Sequence, residues 1–113
     1  VNVATITAKS VQAALSTTLT TEILANASSS NKVFKINNII VANIDGTNAV
    51  DVSVAITKSG GSPIMIASTV SVPADATLVV VDKNTALYLE EGDNIEAGAA
   101  SDLTITINYE ELS

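Results

Sequence analysis

Val50-Asp51-Val52-Ser53-Val54-Ala55-Ile56-Thr57-Lys58 sets β-branched aliphatics at every second position, with Asp51, Ser53, Ala55 and Thr57 between them. That two-residue period belongs to a strand with one face in a core and the other toward solvent. At about 3.3 Å per residue the stretch spans about 30 Å, the height of a sheet-on-sheet domain. The C-terminal segment repeats the pattern, with Leu103, Ile105, Ile107 and Tyr109 on one face and Thr104, Thr106, Asn108 and Glu110 on the other.

Val33 to Ile44 follows the same rule with one slip. Phe34 and Ile36 share a parity, whereas Ile39 and Val41 fall on the opposite one. A β-bulge at Asn37-Asn38 returns both pairs to a single face. Ile64 to Val72, Leu78 to Val81, Ala86 to Leu89 and Asn94 to Ala97 are shorter strand candidates. Asp45-Gly46-Thr47-Asn48 and Gly60-Gly61-Ser62-Pro63 read as hairpin connections, since both supply residues tolerant of positive φ. Pro73-Ala74-Asp75, Asp82-Lys83-Asn84, Glu91-Gly92-Asp93 and Gly98 to Asp102 are further breaks. Short strands about every ten residues mark an all-β sandwich or barrel.

Residues 1–30 are richer in Ser and Thr and dilute the alternation. Val1 to Thr7 and Thr18 to Leu24 can each be extended, and Asn26 to Asn31 is a loop. The one helical option is a short turn around Val11 to Leu15, which the flanking threonine pairs disfavour. Val1 to Ser16 is either an arm along a neighbouring element or subunit or a strand of its own sandwich, and both placements stay open. The expected organisation is an N-terminal extended arm or strands over 1–30 and a single antiparallel β-sandwich over 31–113, of about seven to nine strands, jelly-roll-like or Ig-like.

The 113 residues carry 5 basic and 12 acidic side chains, a net charge of −7, and 47 % are hydrophobic. Val, Ile and Thr make up about a third of the chain, and these types pack well on a pleated surface. His, Cys, Trp and Arg are absent. Disulfides, thiolate or imidazole metal sites, Ser/His/Asp and Cys/His catalysis and arginine phosphate clamps therefore fall away. Five scattered lysines cannot form the basic patch that nucleic acid requires. The longest apolar runs, Ile39 to Ala42 and Leu78 to Val81, are far short of the roughly 18 residues of a membrane-spanning helix. A start at Val1 is expected of a chain that has lost an initiator Met ahead of a small residue, with removal of a longer leader as the alternative.

Each candidate chemistry has a plain structural competitor. Glu90, Glu91, Asp93 and Glu96 offer oxygen at a density that could hold Ca²⁺, but without EF-hand spacing they read better as a solvated turn that keeps a strand edge charged. Asp45 with Asp51 reads the same way. Two carboxylates could serve a glycosidase, yet sugar sites also lean on aromatic platforms, and only Phe34, Tyr88 and Tyr109 exist. Lys58-Ser59 would need a buried lysine to activate the hydroxyl, and it lies at a turn. Gly60-Gly61 and Gly98 fit no phosphate-loop spacing. The expectation is no enzyme, no catalytic residues, no cofactor and no metal.

Four stretches carry a family likeness: Asn31-Lys32-Val33-Phe34-Lys35-Ile36-Asn37, Val41-Ala42-Asn43-Ile44-Asp45-Gly46-Thr47, Val72 through Asn84, and Leu87-Tyr88-Leu89-Glu90-Glu91-Gly92-Asp93. Together they resemble small β-rich virion proteins of tailed bacteriophages of marine and aquatic bacteria, including cyanophages, over the last three-quarters of the chain. The resemblance implies a virion component without a catalytic motif, assembled in the host cytoplasm. The last stretch is also similar to the strand-turn-strand near the end of many jelly-roll and sandwich domains, with Gly92 in the turn and Leu87 and Leu89 facing the core. The leading expectation is a capsid decoration or cement protein, a homo-oligomer with a trimer among the options, bridging copies of the major capsid protein. The Val1 to Ser16 arm would add a strand to a neighbour. A tail, neck, baseplate or fibre protein is the alternative, and a host-surface carbohydrate- or Ca²⁺-binding module is the reading from another class.

Overall fold

The computed structural model describes residues 5–15, 21–82, 84, 87–99 and 103–112. Nine strands follow in order: β1 (Ile6–Leu15), β2 (Thr21–Ala25), β3 (Val33–Asn43), β4 (Val50–Thr57), β5 (Pro63–Val72), β6 (Thr77–Val81), β7 (Leu87–Leu89), β8 (Asn94–Ala99) and β9 (Leu103–Leu112). They form two antiparallel sheets. One has the order β1-β9-β3-β6, with β7 also on β3, and the other has the order β2-β8-β4-β5.

Consecutive strands thus alternate between sheets at both ends of the chain and pair β1 with β9, β2 with β8, β3 with β6 and β4 with β5. This nested pairing is the double Greek key of a jelly roll, with β7 as a short addition. It replaces the Ig-like option, whose two sheets are built in a different strand order. The inward residues of the two sheets meet as one aliphatic core. Ile36, Ile39, Val41, Ile105 and Ile107 from one sheet and Val52, Val54, Ile95 and Ala97 from the other are fully buried.

The parity slip in β3 resolves as expected. Ile36 pairs with Tyr109 and Asn38 with Asn108, so Asn37 is the extra residue. Phe34, Ile36, Ile39 and Val41 all point inward as a result.

Two expectations change, at Asp45 to Asn48 and at Gly98, and two outcomes bear out the sequence reading. Asp45-Gly46-Thr47-Asn48 is no hairpin, because β3 and β4 lie in different sheets and the turn carries the chain across the sandwich. Gly60-Gly61 does close the β4–β5 hairpin, with Gly60 at φ 73°. Val11 to Leu15 is extended rather than helical, because it forms the second half of a ten-residue ladder against β9. Gly98 is not a break, since β8 runs through it to Ala99 and Gly98 pairs with Ser53; residues 100–102 of that break lie outside the described residues.

The N-terminal segment takes the second of its two placements. Ile6–Leu15 is a strand of its own sandwich, and β2 joins the other sheet, so the described part of residues 1–30 contributes to both layers of the fold. Val1 to Ala4 of the first strand expectation lie outside the described residues.

Candidate functional site

A carboxylate cluster at one end of the sandwich and the free surfaces of the sheet that contains β1 are the two places where function could reside. Their chemistry differs completely.

Glu90, Glu91, Gly92 and Asp93 form the β7–β8 turn. Asp93 turns inward and is 3 % exposed. Its Oδ2 accepts from Lys58 Nζ at 2.7 Å and from the Glu90 backbone N–H at 2.9 Å, and its Oδ1 accepts from the Ser59 N–H at 3.0 Å. Burial pushes its pKa up, but the Lys58 bond and the two amide bonds together hold it below the ordinary carboxylate range. Lys58 also contacts Glu90 at 3.2 Å, and the Asp93 bond raises the ammonium pKa above its usual value. The β4–β5 hairpin is thereby tied to the β7–β8 turn.

Gly92 is required at that tie. It sits at φ 85°, and a Cβ there would lie 2.7 Å from Ser59 Oγ.

The same contacts bear on the expected cation and nucleophile readings. Glu96 lies on β8 and accepts from Thr57 Oγ1 at 2.7 Å, and Glu91 is exposed, so only Glu90 and Asp93 of the four carboxylates converge, and they converge on Lys58. Among the described residues no group of three or more carboxylates is placed to share an ion. Lys58 is held as an ammonium between two carboxylates, the wrong state for a base beside Ser59. Asp45 accepts from the N–H groups of Thr47 and Asn48, which lower its pKa, and so closes its own turn rather than converging with Asp51.

Two buried asparagines escaped the sequence reading. Asn26, 1 % exposed, donates to the carbonyls of Lys32 at 2.8 Å and Leu89 at 3.0 Å, while its Oδ1 accepts from Ser30. Asn43, 4 % exposed, donates to the carbonyls of Asn48 at 3.0 Å and Val72 at 2.9 Å and accepts from the Asp45 N–H. They staple loops at the two ends of β3. The signal was available only as an asparagine just after one strand (Asn26) and at the end of another (Asn43), a pattern shared with many exposed turns.

Of the three aromatics, Phe34 and Tyr109 pack together at 5.1 Å in the core edge, and Tyr88 alone stands exposed, opposite Lys35 on the outer face. No aromatic platform forms.

The outer face of the β1-β9-β3 sheet has another character. Cross-strand rows read Ser10–Asn108–Asn38, then Gln12–Thr106–Ile40. A third row is Ala14–Thr104–Ala42. None of these nine positions is charged, although the chain as a whole carries −7, and the next row on the same face, Ala8–Glu110–Lys35, sets one acidic and one basic side chain beside each other. The Asn108 amide donates to Asn38 across the face at 2.7 Å. Amides, hydroxyls and small aliphatics over a rigid sheet offer hydrogen bonds and low desolvation cost, which suits broad contact with another protein surface more than capture of a small ligand.

Comparison with models of known families, with curated proteins and with solved structures found no match.

Proposed function

We propose that the chain is a non-catalytic structural component of a bacteriophage virion, a decoration or cement protein on the capsid surface. The observation that carries this reading is the run of three uncharged cross-strand rows on the outer face of the β1-β9-β3 sheet, next to the Ala8–Glu110–Lys35 row, in a strongly acidic jelly roll. A cement protein acts by burying surface across the joint between two capsid subunits, so that separating the subunits also requires removing the bridge. A rigid sheet loses little conformational freedom on docking, and its neutral rows can be covered without burying unpaired charge. The acidic remainder of the surface would steer the protein toward basic patches on the shell. The family likeness of the segment from Asn31 to Glu111 supports the same setting.

The test is quantitative mass spectrometry of particles purified from the phage that encodes the chain. A cement protein is present at on the order of hundreds of copies and fractionates with heads. A small ring multiple that fractionates with tails would move the protein to the neck, tail or baseplate, and absence from the particle would end the virion reading.

A further inference from the structure

β1 is a strand that its own fold only half accounts for. Its ten residues pair without interruption against β9, and among the described residues nothing pairs with its other side. From Ile6 to Ser10 every side chain is exposed on both faces, Ile6 at 62 %. The other edges are blunted. β5 carries two register shifts and Thr69 at φ 47°, β2 is five residues with a shift at Glu22/Leu24, and β6 is five residues with a shift of its own. Unblunted edges are the ones that pair with other chains.

We propose that β1 is a homotypic interface: two copies pair antiparallel along β1, about a two-fold axis through Ser10, and join their sheets into one. A two-fold axis normal to the sheet keeps outer faces together only if paired residues share a parity, which centres the ladder on a single residue. Centred on Ser10, Ile6 of one copy faces Ala14 of the other, Ala8 faces Gln12 and Lys9 faces Val11. Centred on Ser10, the ladder joins Ile6 through Ala14 of both copies, all of them within β1. β1 holds no carboxylate and only Lys9 among basic residues, and Lys9 already contacts Glu111 at 3.5 Å. Two copies with a net charge of −7 each can therefore meet along this edge without opposing like charges. The joined sheet also brings the neutral rows of both copies onto one surface, so the proposal deepens the assembly reading and rests on it for biological purpose. Pairing in solution and copy number in the particle are measured separately, and either can fail alone.

The chain has no cysteine, so a single introduced thiol reports the register. A ladder about 30 Å long is a small interface, and its dissociation constant should be on the order of 10 µM. Sedimentation of the wild-type chain should show a concentration-dependent dimer. Ser10→Cys should oxidise to a disulfide dimer, whereas Ala8→Cys, whose copies lie four residues out of register, should not. Ala8→Lys with Gln12→Lys sets like charges opposite each other twice and should weaken dimerisation about tenfold, and Ala8→Lys with Gln12→Glu should strengthen it. A wild-type chain that stays monomeric well above that concentration, or Ala8→Cys cross-linking as readily as Ser10→Cys, overturns the proposal.

Discussion

Replacing Asp93 by alanine removes one carboxylate and three hydrogen bonds at once. The Lys58 ammonium keeps 45 % of its side chain exposed and is free to rehydrate, so its loss costs little. The N–H groups of Ser59 and Glu90 lose their acceptor in a part-buried place. With hydrogen bonds to charged groups contributing about 1.5–3 kcal/mol and partial recovery by water, the expected cost is about 2–4 kcal/mol. For a chain of this length that lowers the melting temperature by about 8–16 °C. Asp93→Asn keeps one acceptor and should lose about half as much.

The pH dependence has a definite sign. The folded state binds the Asp93 proton more weakly than the unfolded state, so the stabilisation is complete above the ordinary carboxylate range and is lost as pH falls through the lowered value. The raised pKa of Lys58 works in the opposite window, its contribution being lost as pH rises above the usual lysine range. Melting curves followed by circular dichroism at neutral pH and in acid should show the gap between wild type and Asp93→Asn closing in acid. A shift of under about 3 °C for Asp93→Ala at neutral pH, or a gap that widens in acid, would refute the reasoning. Lys58→Met should cost clearly less than Asp93→Ala, because the amide bonds survive it.

Three further outcomes follow from the same geometry. Val54→Asp puts an unpaired carboxylate at a fully buried position, costing several kcal/mol, and should leave the chain unfolded or insoluble by circular dichroism and sedimentation. Deleting Asn37 removes the bulge and sends either Phe34 and Ile36 or Ile39 and Val41 to the outer face, so cooperative melting should be lost. Asn43→Ala strips two carbonyls and one N–H of their partner and should cost about 2–3 kcal/mol in urea unfolding with an unchanged slope.

The parts of the fold that were legible in the residues are those governed by local periodicity. β4 and β9 lie within about two residues of their expected limits because inward aliphatics repeat without a slip. The β3 bulge was legible because a parity error has only one cheap repair. Asp45-Gly46-Thr47-Asn48 misled because an Asp that accepts from the amides two and three residues on closes a hairpin and an inter-sheet crossing equally well. Which one forms is decided by pairings tens of residues away, such as β3 with β9. Among candidate site residues, the acidic turn was correctly located as a turn, but the inward rotation of Asp93 depends on Lys58, 35 residues earlier, and nothing near Asp93 announces it. The neutral rows of the outer face are legible only once three strand registers are aligned, since their members are scattered over β1, β3 and β9.

The central claim is that this jelly roll works by covering and joining other protein surfaces. Its most direct test is to add the purified chain to phage heads stripped of it, then measure both the saturating amount bound and the temperature at which the heads rupture. The account predicts saturable binding at many lattice positions with a raised rupture temperature, and substitution of charged residues at Thr106 and Ile40 on the neutral face should abolish both. Heads that bind none of the chain, or that bind it and rupture at an unchanged temperature, would contradict it.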